Sequence, residues 1–83
     1  MAKVDYKDLA SRILKEVGGK DNVSSAAHCI TRLRLKIKDM DKVNKPAIEA
    51  MEGVITVVEA GGQFQVVIGD DVPIVYGHFT DLA

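Results

Sequence analysis

The chemistry this chain can perform is concentrated in the run Ala27-His28-Cys29-Ile30-Thr31-Arg32-Leu33-Arg34. Cys29 is the only cysteine in 83 residues. A thiolate is a strong nucleophile, and a free cysteine titrates at about 8.5. Cationic neighbours and backbone N–H donors favour that charged form. Arg32 and Arg34 stand two apart on an expected strand, so they share a face and can both reach back toward the turn holding Cys29. Two guanidinium forks on one side of a thiol suit a phosphate, whose oxygens arginine pairs in bidentate fashion. Thr31 and the turn amides add donors. The chemistry this points to is phosphoryl handling at sulfur.

The same residue types have plainer uses. A lone cysteine often serves as a small buried hydrophobe, and arginines on a strand are often only its wet face. The Cys-to-Arg spacing comes near the loop of tyrosine phosphatases, but Arg34 is one residue too close and no acid is placed to protonate a leaving group. A redox-sensing thiol and a non-catalytic docking or regulatory module are further readings; the paired arginines argue against the latter. His28 either lowers the thiol pKa, contacts a partner or is structural. His78 belongs on the exposed side of the last helix. Two histidines and one cysteine so far apart make a poor metal signature, so neither metal nor cofactor is expected. Gly61-Gly62 is no dinucleotide fingerprint, since no helix follows. Lys36 and Lys38 read as a solvated strand face or a contact for an acidic partner.

Recognisable elements must position this run. Tyr6, Leu9, Ala10, Ile13 and Val17 recur at helical spacing, with Asp5 as N-cap and Gly18-Gly19 as terminator. Asp21 and Asn22 turn the chain. Val23 to His28 reads as a strand of small residues. Leu33, Leu35 and Ile37 alternate with Arg34, Lys36 and Lys38, the period of a half-buried strand, so residues 28–31 form a tight connection. After a polar loop over Asp39 to Lys42, Asn44 caps a short helix with Pro46 in its first turn and Val43 and Ile48 as a hydrophobic staple. That helix is expected to end at Glu52-Gly53. Val54 to Glu59 and Gln63 to Ile68 flank Ala60-Gly61-Gly62 as a hairpin. Asp71 is expected to cap a last helix, with Pro73 in its first turn. The order α-β-β-α-β-β-α predicts an α+β fold, a four-stranded antiparallel sheet with its three helices on one face.

Bulk properties agree with a single domain over 1–83. A chain of this length buries roughly 60 % of its unfolded surface, so the core is thin. Net charge is −1, with 11 basic against 12 acidic residues. Such a balance gives no long-range attraction to nucleic acid or anionic lipid. Aromatic content of 5 % without tryptophan argues against a base-stacking platform. The single cysteine suits a reducing compartment. No signal peptide is expected, nor an apolar run near the ~20 residues that cross a bilayer.

Cys29-Ile30-Thr31-Arg32-Leu33-Arg34 resembles the phosphorylation motif of the B domain of enzyme II (IIB) in the bacterial sugar phosphotransferase system, glucose–sucrose class. Gly61-Gly62-Gln63-Phe64-Gln65-Val66-Val67-Ile68-Gly69 looks like that family's second motif. The resemblance runs from about Leu9 to Phe79. It implies a phosphoryl carrier, a protein-phosphohistidine–sugar phosphotransferase component. Cys29 would accept the phosphoryl group from a phosphohistidine IIA domain and pass it to a sugar in the membrane IIC domain. Carried over by position, Arg32 and Arg34 would surround the phosphate; Thr31 adds a donor there, and the need for a shallow, dockable site makes Ile30, with His28, the expected partner contact. His28 before Cys29 is more similar to sucrose, trehalose and β-glucoside members than to the glucose member. The resemblance places the domain on the cytoplasmic side of the plasma membrane, as part of a larger sugar transporter.

Overall fold

A computed structural model describes residues 5–82. The first helix, α1, spans Tyr6–Glu16. The Asp5 carboxylate caps it, accepting from the backbone N–H of Lys7 and Asp8 at 3.0 and 3.2 Å. Leu9, Ala10, Ile13 and Val17 form its buried stripe, as the 3.6-residue repeat requires. Gly18 ends it at φ 103°, a region costly for residues with a Cβ. A Cβ there would also lie 2.9 Å from the Asn22 amide nitrogen.

Strands β1 (Val23–His28), β2 (Arg32–Ile37), β3 (Thr56–Ala60) and β4 (Gln63–Val67) pair antiparallel in the order β1-β2-β4-β3. Alternation decides the faces. Leu33, Leu35, Phe64, Val66 and Val57 point into the core and meet the buried residues of α1, of the short helix α2 (Lys45–Glu49) and of the last helix α3 (Val72–Leu82). Arg32, Arg34 and Lys36 take the opposite face. The fold is therefore α+β with the expected element order. The β3–β4 hairpin turns through Gly61 and Gly62 at φ 58° and 82°, the two positive values a type I′ turn needs.

Several boundaries differ from expectation. The middle helix stops at Glu49, with Ala50 as C-cap bonded to Pro46 O. It does not run on to the expected end at Glu52-Gly53. Gly53, at φ 100°, reverses the chain so that Ile55 N–H reaches Val67 O at 2.8 Å. The polar loop holds a 3-10 turn, Met40–Lys42, capped by Asp39. The Asp71 carbonyl accepts from Ile74 and Val75 N–H at the start of α3, while its carboxylate accepts the Tyr6 hydroxyl and so ties the starts of α1 and α3. His78 is half-buried rather than exposed.

Asn22 is the buried polar pin of this frame, at 3 % exposure. Its Nδ2 donates to Val17 O at 2.7 Å and Asp39 O at 2.9 Å, and its Oδ1 accepts from Asp39 N–H at 2.8 Å. One side chain thus joins the end of α1 to the loop after β2. Asn22→Ala leaves those groups unpaired in a dry site and is expected to cost about 2–3 kcal/mol. Urea unfolding tests this: the midpoint falls at unchanged slope.

Candidate functional site

β1 ends at His28 and β2 begins at Arg32, so Cys29, Ile30 and Thr31 make the whole connection. The Cys29 N–H donates to Arg32 O at 3.0 Å and closes the turn. The Thr31 carbonyl accepts two N–H groups, from Ile68 at 2.9 Å and Gly69 at 3.0 Å. The turn is thereby held at both ends, to its own hairpin and to the segment after β4. Ile30 stands at its tip, 83 % exposed. Ile55 is also exposed, with its Cδ1 3.9 Å from where a Gly69 Cβ would lie, so apolar surface flanks the turn.

Cys29 is a free thiol of intermediate exposure. Its pKa is lowered from the ordinary thiol value. The largest cause is hydrogen bonding from the Arg34 side chain. The backbone N–H groups of Arg32 and Thr31 and the charge of Arg34 act in the same direction, and partial desolvation opposes them. The alternation of β2 places Arg34 for this, with its Nε buried and without a hydrogen-bond partner among the described residues.

The two arginines divide. They share the outer face of the sheet, but of the two guanidinium groups only that of Arg34 contributes to lowering the thiol pKa. Arg32 acts on the thiol through its backbone N–H, and its Nη1 donates to Gln65 Oε1 at 2.9 Å. His28 turns the other way. It pairs with Leu33 in the sheet, so it lies on the helix side, its ring centroid 4.6 Å from that of Tyr76. Its Nδ1 lies 3.1 Å from Cys29 O. Among the described residues no group of His, Cys, Asp or Glu is arranged to hold a metal ion.

Gln65 was not among the residues singled out from the sequence. Its signal was the alternation Gln63-Phe64-Gln65-Val66, which puts both glutamines on the wet face once β4 is paired to β2. A half-buried thiol turned toward the thiolate form, with the Arg34 guanidinium and turn amides stabilising it, makes a site for a nucleophile that takes up an anionic group.

The family model described as phosphotransferase system, EIIB, matches residues 11–44. A β-glucoside-specific EIIBCA component of Halalkalibacterium halodurans is 55 % identical over 77 residues, 93 % of this chain and 12 % of that protein. A sucrose-specific EIIBC component of Bacillus subtilis is 44 % identical over 66 residues, 80 % of this chain and 14 % of that protein. The chain therefore spans about an eighth of the length of these relatives. One domain of the PTS system IIabc component from Clostridium difficile has the same fold, with a TM-score of 0.88, 33 % identity, and coverage of 94 % of this chain and 82 % of that one.

Alkylation of Cys29 across pH reads the electrostatics of the turn. The thiolate is expected to form with a midpoint below the roughly 8.5 of a free cysteine. Arg34→Gln raises the midpoint, because the largest stabilising cause is lost, and Arg32→Gln moves it little, because the Arg32 backbone N–H remains.

Proposed function

The chain belongs to the EIIB family of the phosphotransferase system, in its cysteine class, and from that membership we propose that Cys29 is the residue that carries the phosphoryl group. The observation that carries this reading is the half-buried thiol, its pKa lowered by Arg34, at a fixed turn whose tip is exposed. The Cys29 thiolate attacks phosphorus on a phosphohistidine of a IIA domain. The S–P bond forms as the N–P bond breaks, and the imidazole leaves with the electron pair and takes up a proton. A sugar hydroxyl in a IIC domain then attacks phosphorus. The S–P bond breaks, the thiolate is restored and the hydroxyl proton goes to solvent or a base of that domain.

Phosphoryl transfer depends on in-line approach and charge stabilisation more than on acid–base groups. The turn amides and Thr31 hold the phosphoryl oxygens. Arg34 and Arg32 balance their charge, Arg32 chiefly during delivery to sugar. Ile30 at the tip makes the apolar contact with each partner. The outward turn keeps both faces of phosphorus approachable, which a deep pocket would not. His28 supports the turn from the helix side through Tyr76 and Cys29 O. The domain works as one part of a longer sugar transporter, as in relatives that are fused EIIBCA and EIIBC chains. No helix among the described residues is long and apolar enough to cross a membrane. Relatives named for β-glucosides and for sucrose both share this domain.

Mass spectrometry after mixing with a phosphorylated IIA domain is expected to find one added phosphoryl group, on Cys29. A Cys29→Ser variant that takes up the group as well as wild type overturns the assignment. Arg32→Lys keeps the charge but not the bidentate fork. It is expected to load normally and to deliver to sugar roughly tenfold or more slowly, measured as sugar phosphate formed in membranes containing the IIC domain.

A further inference from the structure

On the outer face of the sheet Gln65 is 8 % exposed, and it uses both ends of its amide there. Its Oε1 accepts from Arg32 Nη1 at 2.9 Å, and its Nε2 donates to Gln63 Oε1 at 3.0 Å. Arginine only donates, which fixes the amide with its oxygen toward Arg32. In register Gln65 lies opposite Arg34, and Val67 lies opposite Arg32, so the Arg32–Gln65 bond runs diagonally across the strand pair. The other side chains of this face are Ser25 and Ala27 of β1, Lys36 of β2, and Thr56, Val58 and Ala60 of β3. Among the described strand residues its charged groups are Arg32, Arg34 and Lys36. Glu59 pairs with Phe64 and so belongs to the other side. Arg32 is therefore held by a neutral acceptor on a face whose strands carry no carboxylate.

We propose that Gln65 is a positioning residue that holds the Arg32 guanidinium off the sulfur while Cys29 is unloaded and yields it to the phosphoryl group once Cys29 is loaded. The second half rests on the carrier reading above; the first concerns the thiol alone. The chemistry of the acceptor is the reason for a glutamine. An amide oxygen orients a guanidinium without cancelling its charge. Phosphate oxygens are anionic and pair a guanidinium in bidentate fashion, whereas the Gln65 oxygen is a neutral, single acceptor, so an arriving phosphoryl group outcompetes Gln65. A carboxylate of the same length would pair with Arg32 and keep it. In the unloaded state the arrangement also leaves the thiolate to a single guanidinium, that of Arg34. A second one there would stabilise the nucleophile and dull its attack.

Two substitutions test this, each made with Arg32 present and with Arg32→Gln. Gln65→Met removes the acceptor at nearly constant length. It frees Arg32 to reach the sulfur, and the alkylation midpoint of Cys29 is expected to fall by about half a pH unit, with no such fall in the Arg32→Gln background. Gln65→Glu traps Arg32, so delivery to sugar is expected to slow roughly tenfold while adding little to the loss already caused by Arg32→Gln. A merely structural role for Gln65 would give effects independent of Arg32. An unmoved midpoint in Gln65→Met overturns the first half, even if Gln65→Glu fails to fold. Additive losses, or a Gln65→Glu protein that keeps pace with wild type, overturn the second. Wild type that never takes up a phosphoryl group overturns the carrier reading instead, while the alkylation result still decides whether Gln65 holds Arg32 off the thiol.

Discussion

The two N–H groups that Ile68 and Gly69 donate to the Thr31 carbonyl are the constraint on which the site depends. A three-residue connection at a sheet edge is ordinarily among the more mobile parts of a small domain. Here it is closed at one end by Cys29 N–H on Arg32 O and tied at the other to the chain leaving β4. The sulfur is thereby fixed relative to a strand with partners on both sides, since β2 lies between β1 and β4. The Arg34 side chain needs only to lie along that strand to meet the thiol. A nucleophile at a surface turn and a rigid one are usually in conflict, and the Thr31 clamp reconciles them.

The two faces of the sheet do different work. One is apolar and closed by helices; its integrity rests on buried residues such as Phe64, Leu35 and Phe79, with Asn22 as the polar pin. The other is polar and collects Arg32, Arg34 and Lys36. A chain with a net charge of −1 thus presents a locally basic patch beside its nucleophile. Short-range attraction of that kind acts within about a Debye length, ~8 Å at physiological salt. It suits a group delivered by a docked partner better than one captured from afar.

Much of this was legible in the sequence. Period-two alternation over residues 33–38, glycines at the β3–β4 turn and caps at Asp5 and Asn44 each have one natural reading, and each is local. The middle helix stops short of the Glu52-Gly53 end that the sequence suggests, because a long-range demand competes with it, the need to bring Ile55 to Val67. Cys29, Arg32 and Arg34 were visible as residue types, and their shared face followed from spacing. What spacing did not give was the difference between the two arginines, because Gln65 becomes a neighbour of Arg32 only through the β2–β4 register. Asn22 was hidden for a similar reason: a turn asparagine is common, and its burial depends on Asp39 arriving from 17 residues away.

Phosphorus NMR of the domain after phosphoryl transfer from a IIA donor tests the central claim most directly. The account predicts a single protein-bound resonance of thiophosphate type, coupled to the β-protons of Cys29 and moved by Arg34→Gln. A resonance of phosphoramidate type on His28 or His78, or no protein-bound phosphorus under conditions where the donor is discharged, would contradict it.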